Sequence, residues 1–362
     1  MPNLRLPLLL ALVVTPLLAF TASTPDGKVV PPKDYKGSLE EKAQEAIIVF
    51  HGSGEKADAV EDLVIKISVQ GNAKTFGWVV PFPNKPEVFR EDARLFSELH
   101  RYVEMRRYGS RKQSKGLDNK AEGARRAASV DVLSRKIVGK FDVAVVRENV
   151  EGALNKWLDD KGFQALEGGE DIIGFYRRKK YVFACIKVSD AELDKDKAIQ
   201  LHPLRFTFKT GGRDGLYFPM KMTGLQSEPF DVNLYVFYRA WLNDKLNKYG
   251  YVHRGFRLKF RDFDTAKCKP NAGKTWSSPS DDAYLAAYGK RMPTVTRFFQ
   301  KLHPGELYYL TNIQARGMRP QDVRQWRDDL WMFPYYTDRK FVPYDARPGG
   351  AAALTWSKRD DG

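Results

Sequence analysis

The sequence predicts an α+β fold of mixed, largely antiparallel sheets with a few packed helices, followed by a smaller, mixed C-terminal region. Segments with the two-residue alternation of strands outnumber segments with helical spacing. The two kinds follow one another without the strict strand–helix–strand order of a doubly wound sheet. Hydrophobic residues make up 43% of the chain and aromatic residues 13%, which is sufficient to build a core.

The chain begins with a segment typical of a secretory signal peptide. Residues 1–23 contain one charged residue, Arg5, then an apolar run from Leu6 to Phe20 and small residues at the end. The run is shorter than the roughly 20 residues of a membrane-spanning helix, and two prolines interrupt it. We therefore expect cleavage after Ser23 and an extracytoplasmic protein, periplasmic or secreted. An uncleaved membrane anchor is the alternative.

The first part of the mature chain predicts a tether and then strands. Residues 24–43 mix Pro, Gly and charged residues, which indicates a tether. Three strands are expected between residues 44 and 83. The segment from Leu63 to Val69 alternates between apolar and polar residues, which predicts a half-buried strand. Phe76–Val80 is apolar on both faces and predicts a central strand.

The next segments alternate between helix, loop and strand. Apolar residues of 93–106 share one helical face, so we expect a helix there. The basic stretch 107–129 has no periodicity and predicts an exposed loop. Two strands are expected in 130–146. A helix capped by Asn149 should follow and end at Gly162.

The remaining elements complete a main domain at 44–242. They are a short helix near 171–177 and strands at 181–189, 203–209, 216–222 and 231–239. We expect an aromatic-rich C-terminal region at 243–345 and a disordered tail at 346–362. The C-terminal region should contain helices at 280–289, 294–302 and 320–330. Its Tyr and Trp residues predict a compact core, with a surface for sugars or acidic polymers as the alternative.

Two runs between about residues 40 and 240 form a specific combination. They are Phe-Gly-Trp-Val-Val-Pro-x-Pro and Asp-Val-Ala-Val-Val with its downstream Ala-Leu-x-x-Trp-Leu and Gly. In these runs the chain resembles a bacterial exported family known as a domain of unknown function, DUF 2330. The resemblance implies export and an α+β domain, and it implies no activity. Family members commonly start with a Cys-Gly-Gly-type segment, whereas this chain has Thr-Pro-Asp-Gly-Lys there.

Positive charge is the main global feature of the chain. Its formal net charge is +15, and loss of Arg5 with the signal segment would lower it by one, to +14. In the cytoplasm such an excess would indicate nucleic-acid binding, but an exported protein meets other polyanions. We expect an anionic polysaccharide, a wall polymer or another envelope protein as partner, and no nucleic acid. The candidate binding residues are Arg106, Arg107, Arg111, Lys112, Arg125, Arg126, Arg177, Arg178, Lys179 and Lys180. Incidental charge on a solvated loop is the alternative.

The sequence predicts no catalytic, cofactor-binding or metal-binding residues, and no cofactor. The segment ending in His51-Gly-Ser-Gly imitates the oxyanion turn of α/β-hydrolases, but the chain has no Gly-x-Ser-x-Gly nucleophile elbow, so Ser53 is a predicted turn residue. The five histidines lack the spacing of a zinc motif. They are His51, His100, His202, His253 and His303.

Cysteines and paired carboxylates give no stronger signal. Cys185 and Cys268 permit one disulfide or two free thiols, and a nucleophilic cysteine would need a histidine close in space. The acidic pairs are expected to be solvated. They are Asp159–Asp160, Asp281–Asp282 and Asp328–Asp329.

Together these features predict an uncharacterised exported protein, a non-enzymatic binding or envelope-associated module with a basic surface. An exported hydrolase whose site is assembled from scattered residues is the alternative.

Overall fold

The computed structural model describes most of the chain from residue 27 to residue 341. The described ranges are 27–37, 39–51, 59–108, 131–189, 191, 199–211, 215–238, 257–261, 276–277, 292–303, 307–332, 336–337 and 340–341.

The strands and helices follow the chain in this order. The strands are β1 (Lys28–Val30), β2 (Leu39–His51), β3 (Val60–Gly71), β4 (Phe76–Phe82), β5 (Glu87–Arg90), β6 (Asp131–Val138), β7 (Phe141–Arg147), β8 (Val182–Val188), β9 (Ile199–Gln200), β10 (Leu204–Lys209), β11 (Leu216–Phe218), β12 (Phe230–Tyr238), β13 (Arg257–Arg261), β14 (Trp276–Ser277), β15 (Leu307–Met318), β16 (Leu330–Met332), β17 (Tyr336–Thr337) and β18 (Lys340–Phe341). The helices are α1 (Arg94–Tyr108), α2 (Ala153–Asp160), α3 (Glu170–Arg178), the 3₁₀ helix η1 (Lys221–Leu225), α4 (Pro293–Leu302) and α5 (Pro320–Arg324).

Two large sheets organise the molecule. The first, which we call the large sheet, has the order β13-β15-β12-β2-β3-β10-β5, with β14 beside β15 and β9 beside β3. Its pairs are antiparallel except for β2 and β12, which run parallel. The second, which we call the small sheet, has the order β1-β4-β8-β7-β6 and is antiparallel. The α+β prediction, with largely antiparallel sheets, is therefore confirmed.

The main core lies between the two sheets. Phe206 of β10 packs against Phe82 and Trp78 of β4, with ring centroids 4.8 and 6.2 Å apart. On β3, alternate residues such as Leu63 and Ile65 face this core. The alternation seen in the sequence therefore corresponds to two buried faces, since Val64 also faces apolar side chains on the opposite side.

A second core covers the other face of the large sheet. Helices α1 and α4 pack there, and the ring of Phe299 lies 4.8 Å from that of Phe237 on β12. The buried carboxylate of Glu98 in α1 accepts hydrogen bonds from the backbone N–H groups of Thr294 and Val295, each at 2.9 Å. Because the N-terminus of a helix carries unpaired N–H groups and partial positive charge, Glu98 fixes α4 to α1.

Several predicted boundaries differ from the structure. Residues 28–30 and 39–43, assigned above to a tether, lie in β1 and β2. Strand β1 pairs with β4 and buries Val29 and Val30, and the start of β2 pairs with β3. The predicted C-terminal region supplies β15, which pairs along the full length of β12. Residues from both sides of the boundary at 242 therefore belong to one sheet.

Three helix and strand predictions are corrected by specific contacts. The helix predicted to be capped by Asn149 starts at Ala153. The N–H of Leu154 donates a hydrogen bond to the Glu148 carboxylate, whereas the side-chain amide of Asn149 donates to Asp131 and does not cap the helix. The helix predicted at 320–330 stops at Arg324, and Leu330 instead belongs to β16. The strand predicted at 216–222 ends at Phe218 and is followed by η1.

Candidate functional site

The candidate binding residues Arg177, Arg178, Lys179 and Lys180 form a cluster at the C-terminal end of α3. There the N–H of Lys180 donates a hydrogen bond to the carbonyl of Arg177 at 2.9 Å. The N–H of Tyr181 donates to the carbonyl of Tyr176 at 3.0 Å. These two bonds form a Schellman motif, in which the residue after the helix cap adopts the left-handed conformation. Glycine usually occupies that position, but here it is Lys180, with φ 58°.

Three residues of this cluster converge on a surface depression of about 650 Å³. Arg177, Lys179 and Lys180 line it together with Arg147, and we call this feature the basic depression. The remaining lining residues are Pro83, Asn84, Glu148, Asn149, Tyr181, Thr210 and Gly211. Four cationic side chains thus line the depression with one carboxylate, Glu148, while Glu151 and Asp328 outside the lining pair with Arg177 and Lys179. Such an excess of one charge in a concave surface attracts ligands of the opposite sign.

The cations of the depression differ in how far they are neutralised. Arg177 pairs with Glu148 at 3.2 Å and with Glu151 at 2.6 Å. Lys179 pairs with Asp328 at 2.6 Å. No described carboxylate pairs with Lys180, which is exposed. The ammonium of Lys180 is therefore available to a ligand, whereas Arg177 and Lys179 contribute within existing ion pairs.

Arg147 adds a second available group to the depression. Its Nε atom is buried and has no hydrogen-bond partner among the described residues. A buried donor without a partner costs about 1–3 kcal/mol. An anionic oxygen that enters the depression can accept this hydrogen bond and remove the penalty.

Of the other predicted basic residues, Arg178 has a described side chain, which is exposed and does not line the depression. Arg106 and Arg107 lie in the last turn of α1, which continues to Tyr108 and so extends into the stretch predicted as a loop. The remaining four residues fall outside the described part of the chain. They are Arg111, Lys112, Arg125 and Arg126.

A second polar cluster lies on the face of the large sheet that packs against α1 and α4. His51 ends β2, Asp62 is near the start of β3, and His303 directly follows α4. The Nε2 atoms of His51 and His303 lie 2.8 and 3.1 Å from the same carboxylate oxygen, Oδ2 of Asp62. Asp62 and His303 are buried, whereas the side chain of His51 is 28% exposed. We call these three residues the His–Asp–His cluster.

The other oxygen of Asp62 is bonded from the neighbouring strand β10. The guanidinium of Arg205 donates to Oδ1 at 3.0 Å, and the hydroxyl of Thr207 donates to the same atom. Glu91 pairs with Arg205 at 2.7 Å. Burial would raise the pKa of Asp62, but hydrogen bonds from His303 and His51 and the charge of Arg205 outweigh it and hold this pKa well below its usual range. Asp62 is therefore ionised.

A third polar cluster is fully buried in the main core. Oδ1 of Asp329 accepts from the Tyr176 hydroxyl at 2.9 Å and from the Lys221 N–H at 2.7 Å. Oδ2 lies 3.0 Å from the Tyr217 hydroxyl, which also lies 3.1 Å from the carbonyl of Pro81. Burial raises the pKa of Asp329 to about 7, despite these bonds. The prediction that the Asp328–Asp329 pair is solvated is therefore wrong for Asp329.

Cys185 does not have the environment of a catalytic thiol. It is a free cysteine, buried on β8, and burial raises its pKa above the ordinary value. It borders a cavity of about 430 Å³ that also contacts Trp157 and Lys161. Burial, followed by the nearby charge of Arg135, lowers the pKa of Lys161. Cys268 lies outside the described residues.

Comparison with known proteins gives a family but no activity. The sequence model of a family described as an uncharacterized protein conserved in bacteria (DUF2330) matches residues 42–325, which is more than half of the chain. The chain belongs to the DUF2330 family. No curated protein matches it.

One solved structure shows a distant similarity to this DUF2330 protein. The crystal structure of baculovirus P35 has 13% sequence identity, covers 62% of this chain and 74% of its own, and gives a TM-score of 0.35. A score this low carries no argument about function.

Sequence reasoning did not find the His–Asp–His cluster of this DUF2330 protein. Zinc motifs are recognised by short spacings between ligands on one element, whereas these residues come from three elements. One local signal was present. Glu61 and Asp62 are adjacent acidic residues on a strand with two buried faces, so their side chains point into different cores. Buried acidic side chains often mark functional or structural sites.

The helices that the structure describes were compared with the requirements of a membrane span. Among the described residues, no helix has both the length and the apolar composition needed to cross a bilayer.

Proposed function

We propose that this DUF2330 protein is an exported, non-enzymatic module that binds anionic groups of an extracytoplasmic polymer in the basic depression. The observation that supports this proposal is the convergence of Arg147, Arg177, Lys179 and Lys180 around one carboxylate in a depression of about 650 Å³. Guanidinium groups bind carboxylate, sulfate or phosphate with paired hydrogen bonds, and ammonium groups add point charges.

Export rests on the pattern of residues 1–23 and on the exported character that the family resemblance implies. A reporter enzyme that is active only outside the cytoplasm, fused after residue 30, should become active. N-terminal sequencing should place the start of the mature protein near Thr24. Cytosolic protein with an intact N-terminus would rule out export and would make nucleic acid a possible partner again.

The anion-binding proposal is tested by retention on an immobilised acidic polysaccharide such as polygalacturonate. Wild-type protein should be retained at low salt and released at high salt, because the Debye length falls from about 10 Å at 0.1 M to about 3 Å at 1 M. The double variant Arg147→Gln/Lys180→Gln should elute at clearly lower salt. Arg177 and Lys179 are left unchanged, since their substitution would break ion pairs that hold the fold.

A matched control separates local binding from overall charge. Lys36→Gln/Lys74→Gln removes the same two charges from exposed lysines that do not line the depression. This variant should elute close to wild type. If the two double variants elute alike, the depression has no special role and retention reflects the net charge alone. If wild type is not retained at low salt, the anionic partner is ruled out.

Lys180 gives an independent test, because its backbone conformation is costly for a residue with a side chain. The left-handed conformation destabilises the folded protein by roughly 1–2 kcal/mol at a residue other than glycine. Glycine removes this strain but increases the entropy of the unfolded chain. Lys180→Gly should therefore leave the free energy of unfolding unchanged or raise it by up to about 1 kcal/mol, while it weakens retention on the column. A variant that loses both stability and retention would mean that Lys180 serves the fold.

An exported hydrolase is the second candidate function. The observation that favours it is the His–Asp–His cluster, in which an ionised carboxylate holds two imidazoles and one imidazole reaches solvent. Chromogenic esters, phosphoesters and glycosides should then be hydrolysed by wild type and not by His51→Gln. Absence of turnover with all three classes would remove this candidate.

A further inference from the structure

Three atoms that commonly ligate metals converge in the His–Asp–His cluster. One ligand atom of each of the three residues lies within 4.8 Å of the other two. We propose that His51, Asp62 and His303 bind one divalent transition-metal ion of the Zn²⁺ class. This proposal is independent of the basic depression, to which none of the three residues belongs.

The separations of the three atoms suit such an ion. Zinc–nitrogen and zinc–oxygen bonds are about 2.0–2.2 Å long, so tetrahedral ligand atoms lie about 3.3 Å apart. The two nitrogen–oxygen separations, 2.8 and 3.1 Å, are slightly shorter than this. An outward movement of each imidazole by roughly 0.2–0.5 Å would bring these two separations to the tetrahedral value. Two imidazoles and one carboxylate also favour zinc and related metals over Ca²⁺ or Mg²⁺, which prefer oxygen ligands alone.

The groups behind the ligands hold them in place. Oδ1 of Asp62 is occupied by Arg205 and Thr207, which leaves Oδ2 for the ion. Nδ1 of His303 lies 3.2 Å from the Tyr308 hydroxyl. In the metal-free protein Nε2 carries the proton that it donates to Asp62, whereas in the metal-bound form the proton would be on Nδ1, donated to the Tyr308 hydroxyl, and the Nε2 lone pair would be available to the ion. Metal-binding histidines are usually oriented by such a second hydrogen bond.

The charges around the cluster permit a dication. Asp62 contributes one negative charge directly. The positive charge nearest to it, on Arg205, is offset by Glu91 at 2.7 Å. The immediate surroundings therefore do not repel a divalent ion.

The cluster is accessible from one side. Asp62 and His303 are each 1% exposed, whereas the His51 side chain is 28% exposed. An ion held there would have three protein ligands and an open position toward solvent. That is the arrangement of catalytic zinc sites, since structural sites have four protein ligands.

Calorimetric titration of EDTA-treated, dialysed protein with ZnCl₂ tests the proposal. Wild type should bind one Zn²⁺ per chain, and its melting temperature should rise with metal concentration. His51→Gln retains an amide donor for Asp62 but lacks a zinc ligand, so it should fold and bind at least tenfold more weakly. Thr207→Val removes a supporting hydrogen bond and should lower the affinity about 10- to 100-fold.

The control is His100→Gln, the same substitution at an exposed histidine of α1. It should bind Zn²⁺ as wild type does. Absence of binding by wild type, or equal weakening by His51→Gln and His100→Gln, would overturn the proposal. If His51→Gln does not give the circular dichroism spectrum of wild type, Co²⁺ replaces it as the test. Strong visible absorption of the Co²⁺ protein, lost on addition of Zn²⁺, supports the site, and absorption no stronger than that of aqueous Co²⁺ overturns it.

Discussion

Asp329 shows how burial changes the behaviour of one carboxyl group. Its raised pKa means that the folded protein keeps the proton up to about pH 7. The structure has a place for this proton, because Oδ2–H can donate to the Tyr217 hydroxyl while that hydroxyl donates to Pro81. Lys221 and Tyr176 continue to donate to Oδ1. The neutral form is therefore fully hydrogen-bonded.

This group should make stability depend on pH. Asp329 in the unfolded chain releases its proton near pH 4, whereas the folded chain holds it to about pH 7. Its contribution to the free energy of unfolding is thus complete below about pH 4, falls as pH rises to about 7 and is level above that. Between pH 5 and pH 8, the free energy of unfolding of wild type should fall by about 2–3 kcal/mol more than that of Asp329→Asn, as measured by urea unfolding.

An exposed aspartate provides the control for this measurement. Asp322→Asn makes the same change of charge at a side chain that is 49% exposed and paired with Arg319, and it leaves Asp329 in place. The pH profile of this variant should therefore remain parallel to that of wild type over this range. Parallel profiles for wild type and Asp329→Asn would show that Asp329 does not titrate there.

At the scale of elements, η1 and α5 approach each other unusually closely. A Cβ atom on Gly224 would lie 2.9 Å from Cβ and 3.0 Å from Cα of Arg324. The ammonium of Lys221 joins the same elements by donating to the carbonyls of Arg324 and Trp326 at 2.7 and 2.6 Å. Glycine is therefore needed at position 224 for close packing.

Two alanine substitutions should consequently act in opposite directions. Gly224→Ala pushes α5 away and should lower the free energy of unfolding by about 1–3 kcal/mol. Gly174→Ala lies inside α3, where the new Cβ would meet only the ends of the Arg178 and Arg177 side chains, at 3.3 and 3.7 Å. It should raise this free energy by about 0.5–1 kcal/mol, since alanine favours helix. Equal effects in chemical denaturation would contradict the close approach of η1 and α5.

The same elements show what the sequence predicts well and what it does not. Helices α3 and α4 were predicted within one or two residues, because their apolar residues repeat at helical spacing. The predicted end of α5, at residue 330, was wrong because contacts with residues distant in the sequence end the helix at Arg324. Lys221 takes the carbonyls at its C-terminus, and β11 pairs with the following β16. Periodicity does not record such contacts.

The residues of the candidate sites also differ in whether the sequence predicts them. Arg177, Lys179 and Lys180 were predicted because they are adjacent in the sequence. Arg147 was not, since only the fold brings the end of β7 beside α3. The His–Asp–His cluster could not be predicted from spacing, because His303 reaches Asp62 through the packing of α4 on the large sheet.

At the scale of the whole molecule, residues beyond 242 complete structures begun before them. Strand β15 pairs with β12, and α4 covers the large sheet beside α1. Without them β12 would present an open edge, and Tyr235 and Phe237 would lose part of their apolar cover. The proposed boundary at 242 is therefore unsuitable for a stable fragment.

Two truncated chains test this point. A chain of residues 24–242 should bind the dye ANS and unfold in urea without a cooperative transition. A chain of residues 24–341 keeps every described element and should unfold like the full-length protein. Cooperative unfolding and native near-ultraviolet circular dichroism of 24–242 would instead establish it as an independent domain.

The parallel pairing of β2 with β12 also has a consequence for the rate of folding. It joins Glu45 to Asn233, 188 positions apart. Closing so long a loop costs entropy before native contacts compensate for it, so sheets of high contact order fold slowly. The β2–β12 pair cannot form until the ribosome has passed β12, and the large sheet cannot close until it has passed β15. If the chain is exported as proposed, this delay favours an unfolded chain while translocation begins.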